Sequence, residues 1–410
     1  MFPPVHALAA ICALVLPLPA LARDITFPAL SGFSNQQVPV QPGSEFDAAG
    51  SVGSDDITGA KFAGLTTFAN LPYVHCLAAE GAEVERFDIA FLGAPFDTGV
   101  TARPGARYGP GGIRSGSKRM EPETWNIYTG ESAYQSWAKI VDCGDAPLTF
   151  LDNTVALKQL DKAHKVIAGR TANASDYSTP RIITLGGDHT TTLSALRSAA
   201  EQWGPVSVIH FDSHIDTWDP DVLGGGISHY AGVNHGTFLH IAHEEGLIRN
   251  TSIHAGIRAP VMRPKGDIRN DVRCGFDMVK AREIDRIGIN GVIDRLKERV
   301  GDSRVYISVD IDVLDPAFAP ATGTAEPGGW STRELLSILD GLSGLEVIGA
   351  DIGKHQRQPH VSLLTGGEVE VSPVWDNTGE TTVLTAAQVA DSLLTLMVQK
   401  PVKSKADEMR

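Results

Sequence analysis

The sequence predicts an α/β fold of three layers, with a central, mostly parallel sheet covered by helices on both faces, in a single domain. Three observations lead there. From about residue 86 short apolar runs alternate with polar loops and amphipathic stretches, the alternation of a parallel sheet with crossover helices. The runs are continuous rather than alternating, as in strands buried on both faces. Acidic and imidazole side chains recur just past the ends of those runs, where open parallel sheets bind ligands.

The first strong strand is Phe87–Leu92. Lys139–Val141, Arg181–Leu185, Val206–Phe211, Ser252–Ile257, Val305–Val309 and Val347–Ala350 follow. Helical periodicity covers 154–169, 190–202, 281–299, 332–343 and 386–399. Ser331-x-x-Glu334 and Thr385-x-x-Gln388 read as capping boxes at the starts of the last two.

The chain has 410 residues, 42% hydrophobic and 20% charged, an ordinary composition for a soluble protein with a large core. A formal charge of −14 argues against a nucleic-acid partner, which needs clustered Lys and Arg. Residues 1–22 hold no Lys, Arg, Asp or Glu; Ala7–Leu16 is apolar, Pro17 and Pro19 break it, and Ala20-Leu21-Ala22 fits a small-x-small cleavage site. They read as a signal peptide too short to span a bilayer, so export to the secretory pathway, vacuole or medium is expected, and no membrane partner. Asn173-Ala174-Ser175 and Asn250-Thr251-Ser252 are then usable sequons. Residues 23–85 read as an N-terminal arm and extension, 86–400 as the catalytic domain and 401–410 as a polar tail. Without Cys12, the three remaining cysteines, Cys76, Cys143 and Cys274, allow one internal disulfide at most.

Three polar clusters carry the chemistry: Gly186-Gly187-Asp188-His189, then His210-Phe211-Asp212-Ser213-His214-Ile215-Asp216, then Ser308-Val309-Asp310-Ile311-Asp312-Val313-Leu314-Asp315-Pro316. Strand alternation puts Asp212, His214 and Asp216 on one face. So many acids and imidazoles at a buried strand end are costly unless a cation compensates them. Carboxylates with imidazoles suit Mn²⁺ or a similar borderline metal, and the absence of Cys argues against structural zinc.

These clusters resemble the GGDH, DxHxD and SxDxDxxDP signatures of the ureohydrolase family of arginases and agmatinases. Gly93–Gly99 with Arg103–Pro110, Asn234-His235-Gly236-Thr237 and Gly256-Ile257-Arg258 resemble its agmatinase and guanidinobutyrase branch. The resemblance covers residues 86 to 398 and implies an arginase-like fold. It implies two Mn²⁺ per subunit, one held by His189, Asp212, Asp216 and Asp310, the other by Asp212, His214, Asp310 and Asp312, with Asp212 and Asp310 bridging. A bridging hydroxide would attack the guanidinium carbon and urea would leave. His235 would serve as general acid for the departing amine. Glu370, in Val369-Glu370-Val371-Ser372-Pro373, would bind the guanidinium by paired hydrogen bonds. Asp216 would belong both to the metal set and to the catalytic set. Arg103, Pro104 and Arg107 would shape a loop over the site. His240, His243 and His254 read as structural. The family's habit of forming trimers or hexamers implies a homo-oligomer.

The implied substrate is a small cationic guanidino compound: agmatine first, 4-guanidinobutyrate second, arginine third. Residues 222–233, expected to line its tail, contain no Lys, Arg, Asp or Glu. A mononuclear zinc deacetylase would need fewer acidic ligands, and a non-catalytic descendant would bind metal and release no urea. One segment departs from the family pattern. Residues 353–368, GKHQRQPHVSLLTGGE, interrupt the strand that should run from Ile352 straight into Val369-Glu370. Its glycines and proline cannot continue a buried strand. Either it loops out at the sheet edge, displacing Glu370, or it is a retained intron, since Gly353-Lys354 can be encoded by GGTAAG; its composition favours the second.

Overall fold

The computed structural model describes residues 64–79, 82–100, 104–224, 226–228, 231–353 and 371–409, all within one compact unit that spans Gly59–Arg410. The predicted signal peptide, most of the N-terminal arm, Arg103, Lys354 to Glu368 of the interrupting segment, and Val369 and Glu370 after it lie outside the described residues.

Eight strands form one sheet: β1 Ile89–Ala94, β2 Ile140–Asp145, β3 Arg181–Gly186, β4 Ser207–Phe211, β5 Ser252–Ile257, β6 Phe276–Lys280, β7 Arg304–Asp310 and β8 Glu346–Gly353. Their order is β2-β1-β3-β8-β7-β4-β5-β6, and every pairing is parallel. Each predicted strand is present. β1, β3, β4 and β5 are buried at every position, as continuous Ile, Val and Leu runs require between two helical layers. The helices are α1 Gly109–Gly116, α2 Asn153–Ala168, α3 Thr191–Trp203, α4 Phe238–Glu244, α5 Pro264–Arg273, α6 Ile284–Val300, α7 Thr332–Gly341, α8 Thr381–Val398 and α9 Lys405–Glu408. α8 is the one helix among the described residues long and apolar enough to cross a membrane, and 72% of it is buried inside the protein.

The differences from the predicted elements have local causes. β6 is an edge strand with charged Asp277 and Lys280 facing out, so it lacks the apolar run that marks the others. α1, GPGGIRSG, has poor helix propensity and is held by packing on α8 and the sheet. Ser331 and Glu334 do form the expected capping box on α7. Thr385 does not cap α8, because that helix starts four residues earlier, at Thr381, after Glu380 in a left-handed conformation. The extension before β1 is tied in: Phe68 stacks on Phe91 at 4.2 Å, its N–H donates to Asp142, and Cys76 is bonded to Cys143. The expected polar tail is tied in too. Ser404 caps α9, and Ser178 donates to Asp407 at 2.5 Å.

Candidate functional site

β8 lies between β3 and β7, and β4 lies beyond β7, so the three polar clusters at the ends of β3, β4 and β7 meet in the middle of the sheet. Gly187 allows the first to approach. A Cβ there would stand 2.0 Å from the Phe96 carbonyl, so only glycine lets the chain pass β1 and present His189. The second cluster does not use strand alternation as expected. β4 ends at Phe211, and Asp212 to Asp216 form a loop in which Asp216 is left-handed, at φ 50°. Strain of this kind in a non-glycine residue persists where surrounding contacts enforce it. The third cluster turns off β7 at Asp310 into a short 3₁₀ helix, Ile311–Val313, whose Asp312 N–H donates to Asp310 Oδ1 at 2.8 Å.

His189, Asp212, His214, Asp216, Asp310 and Asp312 are all buried, each at 1% exposure or less. His189 Nδ1 lies 3.1 Å from Asp216 Oδ2, 3.4 Å from Asp212 Oδ2 and 3.6 Å from Asp310 Oδ2. His214 Nδ1 lies 3.1 Å from Asp312 Oδ2 and 3.2 Å from Asp212 Oδ1. Asp212 therefore turns one oxygen to each histidine. Two buried sets could each hold a cation: His189, His210, Asp212 and Asp216, and Asp212, His214 and Asp312. The first contains His210, which the sequence reading placed in the second cluster but not among the metal ligands. Asp310 stands beside His189 without completing either set.

The donor set fits a cation, by proton accounting. Ser308 Oγ donates its one proton to Asp351 Oδ1 at 2.6 Å, so at 2.7 Å from His189 Nε2 it accepts. Nε2 of His189 therefore donates to Ser308, and Nδ1 is the nitrogen that faces the three carboxylates, which also face one another. Acceptors turned on acceptors in a dry interior need a positive charge between them. His189 Nδ1, His210 Nε2 and Asp212 Oδ2 have no hydrogen-bond partner among the described residues.

The electrostatics agree. Burial pushes His210 down to about 4 and keeps it neutral, against the pull of Asp212. Burial alone would raise Asp212, but His210, His189 and His214 outweigh it and hold the carboxyl well below the usual range. Burial alone would lower His214, but Asp312, Asp212 and Glu326 push it up to about 10. A centre that draws a proton this strongly draws a divalent cation for the same reason. Asp188 is pushed up to about 7 by burial, against hydrogen bonds from Gly99 and Thr190.

One row of the sheet underlies the site. Thr184, Asp351, Ser308, His210 and His254 are successive register partners on β3, β8, β7, β4 and β5, polar at every position and buried. Arg258 fixes the third cluster from outside by donating to the carbonyls of Asp312, Val313 and Leu314.

His235 is fully buried, in a loop whose Gly236 carbonyl accepts from Trp218 N–H at 3.0 Å and whose next helix donates Leu239 N–H to the Asp216 carbonyl at 3.2 Å. The general-acid candidate is thus tied to the end of the second cluster. Arg107 pairs with Asp97, which also accepts from Gly105 N–H, so it braces the loop before α1. A cavity of about 190 Å³ is lined by Gly99, Leu223, Ala231, Val233 and Asn234, among others, with no charged side chain. Outside this rim, His240 Nδ1 accepts from Asn270 Nδ2 at 3.1 Å.

The sequence profile described as the arginase family matches residues 87–395. Putative agmatinase 1 of Schizosaccharomyces pombe is 49% identical over 357 residues, 83% of this chain and 84% of that one. A guanidinobutyrase of Pseudomonas aeruginosa is 33% identical over 82% of this chain and 93% of its own. The solved structure of proclavaminate amidino hydrolase from Streptomyces clavuligerus is similar, with a TM-score of 0.68 at 32% identity, covering 83% of this chain and 99% of that one.

Proposed function

Because the chain belongs to the arginase family and is a ureohydrolase, we propose that it cleaves the guanidinium C–N bond of agmatine, releasing urea and putrescine, with two Mn²⁺ per subunit. The observation that carries this reading is the pair of buried histidine–carboxylate sets joined through the two oxygens of Asp212. His189, Asp212, Asp216 and Asp310 would hold one ion, and Asp212, His214, Asp310 and Asp312 the other. Bound there, two divalent cations acidify a shared water and clamp charge developing on oxygen.

The remaining work falls to the chain's own side chains. Glu370 would accept paired hydrogen bonds from the guanidinium and set its carbon against the metal centre. His235, held in its loop by Trp218 and Asp216, would deliver a proton to the leaving amine. Burial of the whole centre excludes bulk water, which strengthens each of these interactions. The uncharged cavity beside Asn234 takes an aliphatic tail. It also suits 4-guanidinobutyrate, the second reading, which the guanidinobutyrase relative supports.

Export belongs to this proposal. Apart from Met1 to Ala22, its supports are the Cys76–Cys143 disulfide, a bond that persists in oxidising compartments, and the exposure of Asn173 and Asn250.

The test is direct. The chain is stripped of metal and reloaded with Mn²⁺, its metal content is counted, and kcat/KM for urea release is compared on agmatine, 4-guanidinobutyrate and arginine. Two ions per subunit with agmatine the best substrate is the expected result. Failure of both this chain and a form lacking 353–368 to release urea from any of the three overturns it.

A further inference from the structure

The uncharged cavity beside Asn234 has two walls, and an asparagine holds each of them. Asn234 holds one. Its Nδ2 donates to the Leu223 carbonyl at 3.1 Å and to the Ala231 carbonyl at 2.9 Å, and its Oδ1 accepts from Gly236 N–H at 3.0 Å. Asn153, the first residue of α2, holds the other. Its Nδ2 donates to the Thr98 carbonyl at 2.7 Å, and its Oδ1 accepts from the Thr98 hydroxyl. A carbonyl can only accept, so this pair of bonds fixes the orientation of the amide. The segment it grips has two further anchors. Gly99 N–H donates to Asp188 Oδ2 at 2.8 Å, in a fit so close that a Cβ on Gly99 would stand 2.4 Å from Thr190 Oγ1. Phe96 is buried in a small apolar cluster with Ala156 and Leu157 of α2, against which Val233 packs. The cavity is thus bounded by Gly99, tied to the residue before His189, and by Asn234, the residue before His235.

We propose that Asn153 is a specificity-determining residue: by clamping Thr98 it sets the distance between the two walls, so that the cavity selects guanidino substrates by the length of their aliphatic tail. The amides of both asparagines are engaged with the chain itself, and no charged side chain lines the cavity. The lining that remains includes Val100, Leu223, Ala231 and Val233. Such a surface reads a tail by shape. One methylene in an apolar pocket is worth about 10–200-fold in kcat/KM, and only where the walls keep their spacing. Asn153 is placed to keep it. It is 8% exposed and rooted in a helix of 16 residues, which Asp152 caps by accepting from Val155 N–H at 3.0 Å. Thr98 is exposed, so the clamp ties an open rim to a packed element. Phe96 and Gly99 keep their own anchors when Asn153 is replaced, so its loss should loosen the rim and spare the fold.

This inference rests on the functional reading above, and the test separates the two. Urea release is measured with the Mn²⁺-loaded full chain, and with the form joining Ile352 to Val369, on ω-guanidinoalkylamines of three, four and five methylenes and on 4-guanidinobutyrate. Wild type is compared with Asn153→Ala, Asn153→Asp and Thr98→Val, and the melting temperature of each is recorded. Wild type should prefer four methylenes to either neighbour by about tenfold or more in kcat/KM. Asn153→Ala should bring both ratios below about threefold, mainly by raising KM for agmatine about tenfold with little change in kcat. Asn153→Asp puts a carboxylate on the wall and should raise the preference for agmatine over 4-guanidinobutyrate about tenfold, a shift that a merely structural residue would not produce. Thr98→Val removes one of the two bonds, should narrow the length ratios in the same direction, and serves if the alanine variant does not fold. Wild-type length ratios in the alanine and valine variants overturn the clamp alone. So does an unchanged agmatine preference in the aspartate variant, an equal loss on every substrate with a fall in melting temperature, or a wild type without length preference. A wild type that releases urea from none of these compounds in either form overturns the functional reading and this one with it.

Discussion

Ser308 and Asp351 face each other across the β7–β8 register, and the Ser308 hydroxyl donates to the Asp351 carboxylate at 2.6 Å. That bond decides which nitrogen of His189 is free for a cation. Replacing Ser308 with Val removes the hydroxyl and leaves the strand intact. Mn²⁺ affinity should fall about 10–100-fold, read by calorimetric titration of the stripped protein. Unchanged affinity would show that His189 needs no partner at Nε2.

His235 is expected to act on the proton and not on the metal. His235→Asn should retain full Mn²⁺ content, counted by elemental analysis, while kcat for urea release falls by about 10²–10⁴. A variant with native kcat would remove His235 from the mechanism.

The segment 353–368 begins two residues after Asp351, at Gly353, the register partner of Asp310. Misplacement of a substrate-binding group by about 1 Å can lower a rate about a hundredfold. The chain as written should therefore release urea slowly or not at all, and a form joining Ile352 to Val369 should gain about that factor. Equal rates in the two forms would mark the segment as a tolerated loop. Transcript reads crossing this stretch decide its origin independently.

Burial pushes His164, on α2, down to about 4, and the ring lies 3.5 Å from the Thr184 hydroxyl. The unfolded chain binds this proton from about pH 6.5 downward and the folded chain does not. The stability from a neutral His164 is thus fully present above pH 6.5 and lost as pH falls toward 4, by up to about 3 kcal/mol. His164→Gln should therefore gain on wild type in melting temperature between pH 7.5 and pH 5. A constant difference between them would show that His164 does not set this slope.

The Cys76–Cys143 disulfide closes a 67-residue separation and ties the segment before β1 to β2. By loop-closure entropy its reduction costs about 4 kcal/mol. Denaturant midpoints with and without reductant measure this, and coincident midpoints would show the tie to be unimportant.

The strands of this fold were legible because burial on both faces leaves uninterrupted apolar runs, and the ligands because they crowd the ends of those runs. What the amino-acid order does not show is which strands are neighbours. Ser308 and Asp351 are 43 residues apart, and His210 and His254 are 44 apart. Each pair becomes a contact only through the register of the sheet. His254 therefore read as an ordinary structural histidine, and His210 as a flank of its motif. One signal was available: Ser308 stands two residues before Asp310 on β7, and His210 stands two residues before Asp212 at the end of β4. The edge strand β6 escaped for the opposite reason, since one of its faces is wet.

The place of β8 in the sheet has a consequence for how the protein is made. β2, β1 and β3 are synthesised first and form one half; β4 to β7 form the other. Within the sheet the two halves are joined only through β8, which lies between β3 and β7 and is made after both. His189 belongs to the first half, and Asp212, His214, Asp310 and Asp312 to the second. A nascent chain that has not yet produced Glu346–Gly353 lacks the strand that seats His189 beside Asp212, Asp216 and Asp310, although Asp212, His214 and Asp312 are already made. The set that contains His189 is accordingly the later of the two to be completed, since it alone draws on both halves of the sheet.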